Sequence, residues 1–429
     1  MSLKKLLSMS VLTICGSFNT LADEWQIIPV PDSMTVSLPG GGQKTVQPSC
    51  AMDEIPVPGP DGNPVMIPND FQFYFQPGES DNLLVFMQGG GACWNDATCV
   101  DSLILQQDED PQSRPTYNPS IHSANDPRTA GGIFNDQRED NPFKDWNKVF
   151  IPYCSGDLHA GSSDNVYTDN TGAITGQPGA PVLIKHRGHD NVMAVREWLK
   201  NDYPGNKPKN VMVSGSSAGG YGATLNYPYF ESLFPRSRTS MLSDGAMAVM
   251  TQGFVDDVLT EGGPWNLEET LPRPYSRMLG RFYAFSLNNQ LIKALSYKYP
   301  FDRFAQYSTG LDAVQIQFFK IADQIDRGNL NPSTWQLSES EFLYFLTWHF
   351  RMVSSISTIS AFTWNYQYYL GEGTCHTILT DFCEQTELPV SRPSPFFNEQ
   401  SAEGVIFREW LYEFATKRYF RENSVSYTN

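Results

Sequence analysis

Hydrophobic positions along the chain follow two alternating patterns. Leu83-Leu84-Val85-Phe86-Met87, Lys148-Val149-Phe150-Ile151-Pro152 and Asn210-Val211-Met212-Val213-Ser214 are short apolar runs, each followed by a loop containing Gly or Ser. Unbroken apolar runs of this length are what strands covered on both faces of a parallel sheet require. Ahead of them, residues 24 to 82 hold β-like runs separated by turns such as Pro60-Asp61-Gly62 and Leu38-Pro39-Gly40-Gly41-Gly42, which predict an antiparallel hairpin layer. Helical spacing joins Val192, Val195, Trp198 and Leu199 within Asn191 to Lys200. It recurs over 339 to 354 and over 404 to 418, where Val405, Phe407, Trp410, Leu411 and Phe414 offer one buried face. Strands alternating with helices predict an α/β fold, with a mostly parallel central sheet flanked by helices. The stretch from about 246 to 292 has no obvious strand and is expected to form a helical insertion or cap. Neither a repeat nor a Pro/Gly-rich linker divides the chain, so 23 to 429 reads as a single domain.

Residues 1 to 22 stand apart. Lys4 and Lys5 precede the apolar stretch Leu6 to Cys15, and Thr20-Leu21-Ala22 supplies the small outer residues that suit a signal-peptidase cut. That stretch is too short to span a bilayer, and no later apolar run reaches about 20 residues. A secreted protein, extracellular or periplasmic and without a membrane partner, is expected. Cleavage removes the odd cysteine and leaves Cys50, Cys93, Cys99, Cys154, Cys375 and Cys383. An even set without C-x-x-C spacing in an exported chain reads as disulfides. Of about 15 possible connectivities, short separations favour Cys93 with Cys99 and Cys375 with Cys383, which leaves Cys50 for Cys154.

Charge narrows the partners. With 30 Lys+Arg against 47 Asp+Glu the net charge is −17, and no basic run outside the N-terminus offers a track for phosphates, which excludes nucleic acid. The same charge repels a polyanionic polymer.

The chemistry concentrates at Gly215-Ser216-Ser217-Ala218-Gly219, a G-x-S-x-G after an apolar run and before small residues that suit a helix start. A serine on a sharp strand-to-helix turn is held exposed in strained backbone geometry, with glycines two positions away on either side avoiding clashes. Ser217 is the expected nucleophile. Upstream, Gly89-Gly90-Gly91-Ala92-Cys93-Trp94 follows another apolar run, so the N–H groups of Gly90, Gly91 and Ala218 are the expected oxyanion donors. Trp94 is expected to line the acyl pocket. A base must come after the serine if the chain order is Ser, acid, His. Only His349 and His376 do so. His349 lies in an aromatic helical stretch, whereas His376 follows a strand-like run in a Gly-Glu-Gly-Thr-Cys-His loop, so His376 is the expected base. For the acid, Asp302 follows the strand-like run Ala294 to Phe301 and is preferred; Asp244, in Leu242-Ser243-Asp244-Gly245, is the alternative, and Asp312 looks like a helix start. His186-Arg187-Gly188-His189-Asp190 and Asp157-Leu158-His159 bring imidazoles to carboxylates, but neither has metalloprotease spacing, and Asp190 or Asn191 can cap the following helix. No metal and no cofactor is expected.

Gly-Gly-Gly-Ala-Cys-Trp at 89 to 94, Ile-Pro-Tyr-Cys-Ser-Gly-Asp at 151 to 157 and Gly-Ser-Ser-Ala-Gly-Gly at 215 to 220 together resemble the pectin acetylesterase and Notum family of serine esterases. The resemblance runs from about residue 80 to the His376 region. It implies an α/β-hydrolase with a metal-free Ser-Asp-His triad, in a family where some members deacetylate pectin and others remove a fatty acyl group from a protein. Family members usually carry Asp-Ser-Gly where this chain has Ser243-Asp244-Gly245, which marks it as similar to a divergent bacterial branch. The implied function is a polysaccharide O-acetylesterase working through an acyl-enzyme. The rivals are a lipase, thioesterase or polyester hydrolase with a larger apolar pocket, and a catalytically dead carbohydrate-binding homologue.

Overall fold

The computed structural model describes residues 24–58, 64–107, 115–121, 126–172, 174–205, 207–338, 340–381, 394–417 and 424–426. The expected signal segment and Cys383 lie outside them. Nine strands form the central sheet: β1 (Gln26–Pro29), β2 (Gln72–Gln76), β3 (Asn82–Met87), β4 (Asn147–Ile151), β5 (Asn210–Ser216), β6 (Arg238–Asp244), β7 (Arg303–Thr309), β8 (Tyr366–Gly371) and β9 (Val425–Ser426). Their spatial order is β1-β2-β4-β3-β5-β6-β7-β8-β9. β1 pairs with β2 and β2 with β4 antiparallel, and every other neighbouring pair is parallel. The expected α/β class with a mostly parallel sheet is what forms.

Both faces of this sheet are covered, and the two-residue period of a strand divides the apolar runs between them. Leu83, Val85, Met87, Val211 and Val213 face one core, while Leu84, Phe86, Met212, Ala305 and Tyr307 face the other. Helices α1 (Gly188–Asn201) and α2 (Ala218–Glu231) supply Val192, Val195, Ala223 and Phe230 to the first core. The next helices are α3 (Gln252–Val258), α4 (Leu287–Lys298), α5 (Ala313–Asp326), α6 (Phe342–Phe362) and α7 (Phe407–Thr416). On α7 the buried residues Phe407, Trp410, Leu411 and Phe414 follow helical spacing and close the second core. Each such side chain contributes roughly 1.5–3 kcal/mol by leaving water.

The early hairpins form as expected, Met34–Ser37 with Gln43–Val46 and Glu54–Pro58 with Pro64–Pro68. The described residues from 246 to 292 contain α3, 3₁₀ turns and the start of α4, without a strand. One reading is corrected. Ala294 to Phe301 is not a strand: most of it is the end of α4, whose Leu291, Ile292 and Leu295 are buried at helical spacing, and β7 begins only after Asp302. Disulfides join Cys50 to Cys154 and Cys93 to Cys99, and Cys375 is also disulfide-bonded. Among the described residues no helix is long and apolar enough to cross a membrane.

Candidate active site

A mostly parallel sheet collects the loops that follow its strands at one edge, where ligands of open α/β sheets bind. Segments that follow β3, β5, β6, β7 and β8 meet here. Ser217 sits at the turn between β5 and α2 with φ +56° and ψ −123°. A β-carbon gains nothing from that conformation, so the flanking structure holds it, as a nucleophile elbow does. Its N–H donates to the Asp244 carbonyl at 2.7 Å. Ser214 and Ser216 point their hydroxyls elsewhere, to the Leu242 carbonyl at 2.8 Å and the Asp244 carboxylate at 2.6 Å. The half-buried Ser217 lines a pocket together with Gly91, Ala92, Ala218, Gln315, Phe318 and His376.

His376 lies on the loop after β8, and its Nδ1 is 2.9 Å from both carboxylate oxygens of Asp312. The carboxylate beside His376 is therefore Asp312 and not the expected Asp302. Asp312 caps α5 by accepting the Gln315 N–H at 2.9 Å and also accepts from Gln315 Nε2 at 2.7 Å. It is fully buried. Asp302 precedes β7, at the far end of a seven-residue strand about 20 Å long. There it is held beside Tyr227 and Thr239, and burial raises its pKa. The misplaced strand boundary accounts for the expectation of Asp302. With Ala294 to Phe301 taken as the strand, Asp302 stood at its carboxyl end; with β7 in its true place, Asp312 does. Backbone bonds then zip the two loops together: Gly310 N to Gly371 O, Leu311 N to Gly373 O and Ala313 N to Thr374 O.

The glycine run after β3 lies against the elbow. A side chain at Gly89 would come within 2.8 Å of the Ser217 β-carbon. Gly91 has φ +78°, and a β-carbon there would stand 1.9 Å from the Thr116 carbonyl, so only glycine permits this approach. Ala218 is the first residue of α2, whose N–H has no acceptor within its own helix. The expected oxyanion donors Gly91 and Ala218 thus line the same pocket as Ser217. Trp94 is buried, packs edge-on against Phe254 at 5.0 Å and is not among the residues that line the Ser217 pocket, as it was expected to be.

The histidine–carboxylate clusters serve the backbone. Asp157 accepts from Ser155 Oγ and from the N–H groups of His159, Gly161 and Gly188; burial nevertheless pushes its pKa up to about 6. His186 Nδ1 contacts the Ser155 carbonyl and its Nε2 the Tyr167 hydroxyl. Cys93, Cys99 and His186 come close enough together to suggest a metal set, but the two thiols are joined in a disulfide and cannot act as thiolate ligands. Asp190 does not cap α1, which begins at Gly188 without a side-chain cap; it accepts from Gln47 N and Ser162 Oγ instead. His349 is on α6, with Nδ1 2.6 Å from the Gly310 carbonyl.

His159 was legible only as part of a metal-like cluster, and the structure gives it a different neighbour. Its Nε2 is 2.9 Å from the Gln88 carbonyl, at the base of the glycine run, and its ring packs on Tyr153. Burial lowers its pKa to about 4, so at neutral pH it is an uncharged imidazole donating from Nε2. His159→Phe keeps a ring but strands a buried carbonyl. If the glycine run supplies oxyanion donors, the expected result is a fall in kcat of about tenfold with little change in KM, because a loosened donor loop costs transition-state rather than ground-state binding. Steady-state kinetics on a soluble ester measure this, and an unchanged kcat would remove the role.

Comparison with known proteins covers part of this site. Residues 70–254, from β2 through the elbow to α3, match the sequence model of the pectinacetylesterase family. Over that segment the chain is similar to the pectin acetylesterase and Notum family. It is 34% identical over 149 residues to palmitoleoyl-protein carboxylesterase NOTUM of Homo sapiens, covering 33% of this chain and 24% of that one. It is 27% identical over 169 residues to pectin acetylesterase 11 of Arabidopsis thaliana, covering 38% and 37%. The chain therefore spans about a quarter to a third of the length of these relatives. In this family segment the glycine run, the Tyr153-Cys154-Ser155 turn and Ser217 are included, whereas Asp312 and His376 lie beyond it.

Proposed function

We propose that this chain is a secreted serine carboxylic-ester hydrolase of the α/β-hydrolase type, working without a metal or other cofactor. The carrying observation is that Ser217, strained on its turn, shares a pocket with His376, whose far nitrogen is held by the buried Asp312. In this reading His376 takes the Ser217 proton as the oxygen attacks the ester carbonyl, and Asp312 stabilises the imidazolium. The N–H groups of Ala218, Gly90 and Gly91 receive the developing oxyanion. His376 returns the proton to the leaving alcohol, then activates the water that frees the acyl group.

The acyl side favours a small group. The site pocket and an adjoining chamber walled by Leu225, Phe254, Leu259, Leu271, Phe282 and Leu291 each offer about 30 Å³ to the centre of a water-sized sphere, enough for about two waters. Removal of acetyl groups from a polysaccharide fits that size and the relative named as a pectin acetylesterase. The charge of −17 makes a neutral glycan the better partner than pectin. A second reading rests on Leu158, Tyr221 and Met250, which line both spaces: if they swing aside the two join into a longer apolar slot, as a fatty acyl ester needs.

Nitrophenyl esters from acetate to laurate separate these readings, with kcat/KM expected to peak at two to four carbons. A maximum at ten or more carbons would establish the longer slot instead. Single labelling of the wild-type protein by a fluorophosphonate is expected, and its failure would favour a catalytically dead binding protein.

A further inference from the structure

Asp244 ends β6 beside the elbow, and no step of the proposed reaction uses it. It is completely buried, yet its groups reach both halves of the reacting pair. Its backbone carbonyl accepts the Ser217 N–H at 2.7 Å. Its carboxylate accepts the Ser216 hydroxyl at 2.6 Å on one side. On the other it accepts the N–H of Ile378, at 3.2 and 3.1 Å to its two oxygens, and of Leu379 at 3.0 Å. Those two residues follow His376 by only two and three positions. Gly245, the next residue, would press a β-carbon to within 3.2 Å of the His376 ring.

We propose that Asp244 is a positioning residue that ties the nucleophile turn to the histidine loop and so sets the separation between Ser217 and His376. This rests on the Ser217–His376–Asp312 reading of the site. Asp312 fixes the far side of the imidazole and His376's tautomer; Asp244 fixes the loop's approach to the elbow. The two duties need two carboxylates because they act on opposite sides of one loop.

Burial pushes the Asp244 carboxyl up to about 6, against the pull of Ser216, the two loop N–H groups and nearby His376. At neutral pH it therefore remains an acceptor for all three donors. An unsatisfied buried N–H would cost the loop its geometry, and a displacement of about 1 Å between reacting groups costs about a hundredfold in rate.

Asp244→Asn keeps the shape but replaces one acceptor oxygen by a donor. The expected result is a kcat, counted per Ser217 labelled by a fluorophosphonate, about a hundredfold below wild type, with KM for nitrophenyl acetate within about threefold. Counting per labelled site discounts any misfolded fraction. Ser216→Ala, which removes only the elbow's own link, is expected to lower kcat about five- to tenfold at constant KM, and it serves if the Asn variant does not fold. Unchanged kcat per labelled site in the Asn variant, or in Ser216→Ala when the Asn variant yields no folded protein, overturns the proposal. Absence of labelling and hydrolysis in the wild type would instead overturn the esterase reading itself, so the two failures are distinguishable.

Discussion

Ser217→Ala is expected to lower ester hydrolysis by about a million-fold and to abolish fluorophosphonate labelling. The magnitude follows from removing a nucleophile whose partners act as one unit with it. It is expected to leave the fold intact. The Ser217 N–H bond to the Asp244 carbonyl is a backbone interaction, and alanine replaces only a half-buried hydroxyl facing the pocket. Two serines close by make the experiment discriminating. Ser216 and Ser214 donate to Asp244 and to the Leu242 carbonyl within the sheet edge, so neither is free to substitute. Hydrolysis retained above a hundredth of the wild-type rate would mean a different nucleophile.

Asp312→Asn is expected to lower kcat about ten-thousandfold while Asp302→Asn leaves it near normal. An asparagine amide facing His376 Nδ1 favours the wrong tautomer and cannot stabilise the imidazolium, which is the basis of that magnitude. Asp312 also caps α5 and binds Gln315, so a loss of stability accompanies the Asn variant; circular dichroism and kcat per labelled site separate the two effects. Asp302 has a different environment. Its carboxyl, held beside Tyr227 and Thr239 at the start of β7, affects the thermal midpoint rather than the rate. The reverse outcome, a dead Asp302→Asn and an active Asp312→Asn, would overturn the assignment.

The contrast between these two aspartates locates where the chain is easy and hard to read. Val85, Val149, Val213 and their neighbours sit in runs too apolar to be anything but covered strands, and they became the centre of the sheet. The G-x-S-x-G and the glycine run carry their chemistry in local backbone demands, so the strained turn of Ser217 and the close approach of the glycine run were both legible. Ala294 to Phe301 has no such local demand. Its tyrosines and leucines suit a strand as well as a helix, and burial of Leu291, Ile292 and Leu295 on one face decided for the helix. That decision moved the strand by some eight residues and with it the acid, although Asp312 already stood after Thr309-Gly310 as a helix start.

His159 and Asp244 were harder still, because the bond that gives each side chain its place is made far away in sequence. His159 meets Gln88 across 71 residues and Asp244 meets Leu379 across 135. No local pattern encodes such a bond; it exists only after parallel strands have brought their carboxyl ends to one edge. The sequence alone determined the α/β class, the strained Ser217 turn and its glycine-lined approach, since each depends on backbone constraints or periodicity within a few residues. The tertiary structure alone decided which aspartate faces His376, which carboxylate bonds both to Ser216 and to the His376 loop, and how narrow the cavity beside Ser217 is. Those outcomes depend on distances between strand ends, which packing of the whole sheet sets.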